Sequence, residues 1–288
     1  MNLTFRCLLA SDAAWLTEMG NDPEAAKYAL SVYPRTEHET EQSVKKELEG
    51  QEGKTMIEVA RALKAILFDL DGTIFDIAER DAFARCEALN ELGYKVSLEE
   101  VRNHYRYGLG HAGIVEKLGI KLTEKEEKKH IMAAFEHFTT KEAFSLTKIH
   151  KGAYDVLSTL SSSYTLAIVT SRDSISSTME ELDAFAIRKF FKLVVTRESA
   201  ASHYGVKEMP LLPFPEQRRK LYETAIDLMK TDPKDMLCVG DSVSELQPAK
   251  ELGMNTLGVL TGLSSREDME KASIPTISNL NELLGLLT

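Results

Sequence analysis

The chain is poor in the features that mark several protein classes. Its 288 residues include only three cysteines, Cys7, Cys86 and Cys238. They lie far apart, are odd in number and are never spaced as Cys-x-x-Cys. Neither a disulfide framework nor a cysteine zinc site is expected, and a reducing cytoplasm is. No apolar run approaches the ~18 residues of a membrane-spanning helix, and the N-terminus shows no basic-then-apolar leader pattern. Positive charge is in deficit: 35 Lys and Arg against 45 Asp and Glu give a net charge of −10. Nucleic acid and anionic membranes both call for a basic surface, so neither is expected as a partner. A small anionic substrate stays open, because a site can be locally positive or hold a metal. Internal repeats and low-complexity tracts are absent as well.

What is there is enough apolar residue, 43%, to bury a core, and enough length for two domains. Residues 1–62 read as a short extended start and small helices, set apart from the remainder of the chain. Asp22-Pro23 looks like a cap with proline in the first turn, and Thr36 with Glu39 has capping-box spacing. From Lys64 onward, apolar strands alternate with helices. Ala65 to Phe68, Thr165 to Val169, Leu193 to Val195 and Met236 to Val239 read as buried strands, with Thr256 to Leu260 and Pro275 to Ile277 as weaker ones. Helices such as Gly152 to Leu160 and Arg218 to Met229 separate them. This alternation predicts an α/β fold with a Rossmann-like parallel sheet. Between the first two strands lies a long, mostly helical stretch, too large for a simple crossover. Ala82, Cys86 and Leu89 share one helix face there. Thr123 and Glu126 have capping-box spacing ahead of Ile131, Ala134, Phe135 and Phe138 on one face. The expected organisation is an N-terminal extension over 1–62, a core built from 63–77 and 147–288, and a helical cap over 78–146.

Ligands of open α/β sheets bind beyond the carboxyl ends of the strands. The first strand ends in Asp69 and Asp71, followed by Gly72 and Thr73. The second ends in Thr170, Ser171 and Arg172. The fourth ends in Gly240, Asp241 and Ser242, with Glu245 four residues after the aspartate. Close carboxylates repel unless a cation lies between them. An all-oxygen donor set, with no His or Cys among these strand ends, suits a hard ion such as Mg2+ and not zinc. A carboxylate can also attack phosphorus, and a second one nearby can carry the proton. Each fragment alone has a plainer reading. Asp-x-Asp-Gly is a common solvated turn, Thr-Ser-Arg an ordinary helix cap, and Glu245 a first-turn acid favoured by the helix dipole. Three such fragments in register make the plain reading a poor one.

The order FDLDGT (Phe68 to Thr73), VTSR (Val169 to Arg172) and VGDSVSE (Val239 to Glu245) resembles the haloacid dehalogenase superfamily, in its phosphatase branch with a helical cap similar to phosphoglycolate phosphatases. The resemblance covers residues 64–288. It implies Mg2+-dependent hydrolysis of a small phosphate monoester through an aspartyl-phosphate. Asp69 is then the nucleophile and Asp71 the general acid/base. Asp69, the Asp71 backbone carbonyl, Asp241 and Glu245 hold the metal. Thr170 and a lysine complete the catalytic set, with Gly72, Ser171 and Arg172 on the substrate. Dehalogenases of the superfamily lack the second aspartate, so Asp71 favours phosphoryl transfer. The same resemblance leaves two alternatives, a phosphotransferase similar to β-phosphoglucomutase and a non-catalytic binding module.

The sequence departs from this pattern twice. Glu245 stands where aspartate is usual. The family's lysine, some 25 residues before Asp241, falls here on Glu216; Lys207 is the first choice for its role, with Arg218, Arg219 and Lys220 as alternatives. Residues 1–60 also resemble the opening of Gcn5-related acetyltransferases, without the glycine-rich turn that holds acetyl-CoA. No acetyl transfer is expected. A remnant or a segment that docks a protein partner, or an unrelated helical extension, accounts for them.

Overall fold

Ala65, Ile66, Leu67 and Phe68 have no solvent-exposed surface, and they form the central strand β1 (Ala65–Phe68). The computed structural model describes residues 62–105, 111–209 and 213–287. The readings of residues 1–61, including both N-terminal capping patterns and the second resemblance, lie outside the described residues.

After β1 the chain turns into β2 (Phe75–Asp76) and then into five helices: α1 (Ala78–Glu91), α2 (Leu98–Tyr105), α3 (His111–Lys117), α4 (Glu124–Phe138) and α5 (Lys141–Ser145). It returns through β3 (Lys148–Ile149), which pairs antiparallel with β2. The helical insert thus leaves and re-enters through one short two-stranded ribbon. The rest alternates: α6 (Ala153–Leu160), β4 (Thr165–Val169), α7 (Ile175–Ala184), β5 (Phe191–Val195), α8 (Arg197–His203), α9 (Phe214–Met229), β6 (Met236–Gly240), α10 (Val243–Glu251), β7 (Asn255–Val259), α11 (Arg266–Lys271), β8 (Thr276–Ile277) and α12 (Glu282–Leu287).

The large sheet has the order β5-β4-β1-β6-β7-β8 and every pairing in it is parallel. Its strands alternate between two apolar layers. Ile66, Phe68, Ile168 and Val239 face one core, while Leu67, Ala167, Val169 and Cys238 face the other. Burial on both faces explains why these strands read as continuous apolar runs instead of alternating ones. Fully burying one such side chain contributes ~1.5–3 kcal/mol, so these strands anchor the sheet.

β1 lies between β4 and β6, with Phe68 level with Ile168 on one side and Val239 on the other. The chain crosses to one side of β1 for β4 and later to the other for β6. This reversal opens a crevice at the carboxyl end of β1, where doubly wound sheets bind ligands. The register brings Asp69, Thr170 and Asp241 to within one residue of the same level.

The insert follows its sequence pattern with one exception. Ala82, Cys86 and Leu89 are buried on α1, and Thr123 with Glu126 forms a reciprocal capping box at the start of α4. Only half of the expected apolar face of α4 is turned outward: Ala134 and Phe138 are half-buried, and the Phe138 ring packs on Arg80. Ile131 is 49% and Phe135 43% exposed, whereas His130 is fully buried and its Nε2 meets the Arg85 carbonyl at 3.2 Å. His137 meets Glu91 at 2.9 Å. Both histidines thus meet polar groups of α1 from the side of α4 that packs on it.

Candidate active site at the carboxyl end of the sheet

Asp69 directly follows β1. Its backbone N–H donates to the Val239 carbonyl at 2.8 Å, which extends the parallel ladder one residue and fixes the carboxylate at the crevice. The side chain is 2% exposed. Its Oδ1 accepts from Arg218 Nη2 at 2.8 Å, while Oδ2 is buried with no hydrogen-bond partner.

Between Asp69 and β2 the backbone folds back on itself. The Gly72 N–H donates to the Phe75 carbonyl at 2.8 Å, and Gly72 has φ +86°. A Cβ there would also lie 2.5 Å from Asp241 Oδ2, so both the turn and the close approach of two strand ends require glycine. The Gly72 carbonyl accepts from Thr261 Oγ1 at 2.7 Å. The Asp71 side chain, 23% exposed, is clamped by Arg172: Nε to Oδ2 at 2.8 Å and Nη2 to Oδ1 at 2.6 Å.

From β4, Thr170 is 2% exposed and its N–H donates to the Val195 carbonyl at 3.0 Å. Ser171 Oγ accepts from Arg218 Nη1 at 3.3 Å. From β6, Asp241 is 1% exposed and accepts from the Leu263 N–H at 2.8 Å. Glu245 follows in the first turn of α10, 12% exposed, with Oε1 3.8 Å from Arg218 and Oε2 buried without a partner.

One oxygen from each of Asp69, Asp241 and Glu245 lies within 4.8 Å of the others. Burial pushes the Asp69 carboxyl well above the ordinary carboxylate value, Glu245 adds to the shift and Arg218 opposes it. Burial and then the Asp69 charge push Asp241 up to about 7. Burial pushes Glu245 up to about 8, with Arg218 again opposing. Three clustered acids, two of them beside the Arg218 guanidinium and each with a buried oxygen lacking a partner, form a donor set that fits a divalent cation with a preference for oxygen. The Asp71 side chain is not in this cluster because both its oxygens are on Arg172.

The cation beside Asp69 is Arg218, and this corrects the first choice of Lys207. Lys207 is exposed, and among the described residues the ion pair of Asp69 is with Arg218. Arg219 and Lys220, 43% and 42% exposed, both pair with Glu223 on the outer face of α9. Arg218 has no exposed side-chain surface and also donates to the Val169 carbonyl at 2.8 Å. The burial pattern of α9 shows why. Arg218, Leu221, Tyr222 and Ala225 are buried at spacings of three, four and seven, so Arg218 heads the inward stripe of α9 and its two neighbours do not.

Two further buried charges were not singled out from the sequence. Arg80 on α1 is 1% exposed and donates to both oxygens of Glu181 on α7, at 2.9 and 3.1 Å. Glu181 also accepts from Arg172.

A family model for haloacid dehalogenase-like hydrolases matches residues 66–259. The chain belongs to that family. Among curated relatives, a phosphoglycolate phosphatase of Nitrosospira multiformis is 27% identical over 236 residues, covering 77% of this chain and 96% of the relative. A glyceraldehyde 3-phosphate phosphatase of Methanocaldococcus jannaschii is 25% identical over 234 residues, covering 78% and 97%. Among solved structures, a haloacid dehalogenase-like hydrolase from Streptococcus pneumoniae superposes with a TM-score of 0.63 at 20% identity, covering 79% of this chain and 100% of its own. That likeness extends to the fold. Family and relatives together make the chain a phosphatase of the haloacid dehalogenase type, a phosphoric monoester hydrolase. No helix among the described residues is long and apolar enough to cross a membrane.

Proposed function

We propose that the protein hydrolyses a small phosphate monoester, of the phosphoglycolate kind, through an aspartyl-phosphate on Asp69, with Mg2+ as cofactor. The observation that carries this reading is Asp69 itself. It is buried at the switch point of the sheet, held by Arg218 through one oxygen, with the other oxygen unpaired. Asp69, Asp241 and Glu245, with the Asp71 carbonyl, would hold Mg2+, which when bound offsets the charge of the acids and of the phosphate.

Asp69 attacks phosphorus, the bond to the leaving oxygen breaks, and Asp71 delivers a proton to that oxygen. Water then attacks the aspartyl-phosphate, Asp71 takes its proton, and phosphate leaves with Asp69 regenerated. Arg218 keeps the attacking carboxylate oriented and balances its charge. Thr170 Oγ1, Ser171 and the backbone N–H groups near Gly72 are the donors for the transferring phosphoryl oxygens, each of which is typically worth a few kcal/mol. Substrates that carry a further anionic or carbonyl group are favoured by the relatives' activities. The helical insert acts as the cap that covers this edge and excludes water. Two cysteines among the described residues, Cys86 and Cys238, are free and buried, in keeping with a cytoplasmic protein.

Phosphate release from a panel of small phosphate esters, with Mg2+ and with EDTA, tests the proposal. Turnover should require the metal and vanish in Asp69→Asn, whose thermal melt should still report a folded protein. Turnover that persists at the full rate in Asp69→Asn would refute the mechanism. Interconversion of sugar phosphates without phosphate release would move the protein to the mutase alternative.

A further inference from the structure

The Asp71–Arg172 clamp does not end at Arg172. The third guanidinium nitrogen, Nη1, donates to Glu181 Oε2, the same oxygen that Arg80 Nη1 reaches at 3.1 Å, while Arg80 also reaches Glu181 Oε1 at 2.9 Å. Arg80 is then fixed on the insert side. Its Nε donates to the Phe138 carbonyl at 2.8 Å and its Nη1 to Thr147 Oγ1 at 3.1 Å. Its guanidinium lies 3.8 Å from the Phe138 ring centroid and 4.2 Å from that of Phe144. Four alternating charges therefore run from the reactive edge of the sheet into the helical insert. Exposure falls along the way, from 23% at Asp71 and 11% at Arg172 to 5% at Glu181 and 1% at Arg80.

Such a chain is a poor device for stability. Removing four charges from water costs several kcal/mol per ion, and well-packed apolar side chains would do as well or better. What bidentate arginine pairs supply is fixed geometry. Arg172 holds both oxygens of Asp71, Glu181 fixes the rotation of Arg172, and Arg80 holds Glu181 with both of its oxygens engaged.

We propose that Glu181 and Arg80 are positioning residues, which act through Arg172 to hold the Asp71 carboxylate and so seat it according to the position of the helical insert. This rests on Asp71 as the proton donor to the leaving oxygen. Neither Glu181 nor Arg80 touches the reacting atoms. Their effect therefore depends on how much the leaving group needs a proton. An aryl ester such as p-nitrophenyl phosphate departs as a stable phenolate, whereas an alkyl ester such as 2-phosphoglycolate or glycerol phosphate does not.

The test compares kcat and KM on both ester types for Glu181→Gln, Arg80→Lys and Asp71→Asn. Well-placed general acids contribute ~10²–10⁴-fold. Glu181→Gln should then lower kcat on alkyl esters by about tenfold to a hundredfold, with KM little moved, and on the aryl ester by less than about threefold. Arg80→Lys keeps the charge but loses the fork to Glu181 and Phe138, and should show the same split in smaller measure. In an Asp71→Asn background, Glu181→Gln should cost nothing further on alkyl esters. The aryl activity doubles as the report that each variant is folded. Equal losses on both esters in the Glu181 and Arg80 variants, or no loss on either, would overturn the relay alone, provided Asp71→Asn discriminates between them. An Asp71→Asn variant that loses both activities equally would instead remove Asp71 as proton donor, and the relay with it.

Discussion

Buried carboxylates with raised pKa values make stability depend on pH in a defined direction. Asp241 titrates at about 7 and Glu245 at about 8 in the folded chain, against ordinary values of roughly 3.9 and 4.3. Between the two values for each group, the folded state carries a proton that the unfolded state has lost. The unfolded state therefore binds fewer protons, and stability falls as pH rises. In metal-free protein, each group contributes a slope of about −1.4 kcal/mol per pH unit inside its window. The windows overlap from about pH 4.3 to about pH 7. Above about pH 8 both groups are ionised in both states and the decline from these two ends. The groups face one another and Asp69, so their contributions do not add in full. A loss of a few kcal/mol between pH 5 and 8 is expected, a large part of a typical stability of 5–15 kcal/mol.

Mg2+ should reverse the effect where the acids are ionised. A ligand that binds only the folded state at about 100 times its Kd adds about 2.7 kcal/mol. The assay is urea unfolding in EDTA and in excess Mg2+ at pH 5, 6, 7 and 8. The EDTA midpoints should drop with pH. The Mg2+ midpoints should separate from them toward pH 8 and converge toward pH 5. Glu245→Gln should flatten the EDTA series by removing one titrating group. An EDTA series that is level or rises over this range, or Mg2+ curves that superpose on it at pH 8, would refute the assignment of these acids to a cation site.

Two other substitutions report on the arrangement around Asp69. Arg218→Met leaves a buried carboxylate without its partner and should destabilise the protein by about 3–5 kcal/mol and abolish turnover, read by denaturant unfolding and phosphate release. Lys207→Ala, at an exposed position, should shift stability by no more than about 0.5 kcal/mol and keep turnover. Gly72→Ala places a Cβ 2.5 Å from Asp241 Oδ2 at φ +86°. It should cost on the order of 1–3 kcal/mol, seen as a lower melting temperature, and weaken Mg2+ binding in calorimetry because Asp241 must move.

Much of the site was legible because the residues concerned follow strands buried on both faces. An apolar run that ends in acids, hydroxyls or glycine marks a strand end, and parallel strands put all their carboxyl ends on one edge. Asp69, Thr170 and Asp241 needed no more than that. The strands themselves were read to within a residue or two; β5 begins at Phe191, ahead of the expected Leu193. The short β2–β3 ribbon escaped notice because two-residue strands carry no period.

Charged residues on helices were harder. Lys207, Arg218, Arg219 and Lys220 are chemically alike as candidates, and the spacing pattern of the family pointed to none of them. The inward stripe through Leu221, Tyr222 and Ala225 distinguishes Arg218, but only once α9 is known to pack on the sheet. On α4 the apolar period placed Ala134 and Phe138 correctly but not Ile131 and Phe135, since the polar groups of α1 that receive His130 and His137 lie some 45 residues away in the chain.

The sequence by itself determined the α/β order, the strand ends and the acids that stand on them, because local periodicity and the rule of the carboxyl edge suffice for these. The tertiary structure alone decided which cation meets Asp69, and that Asp71 is gripped through Arg172 and Glu181 by an arginine of the insert. Residues 69 and 218 are 149 positions apart, and 71 and 172 are 101 apart. Pairings at such separations follow from how helices pack on the sheet and leave no mark in local sequence.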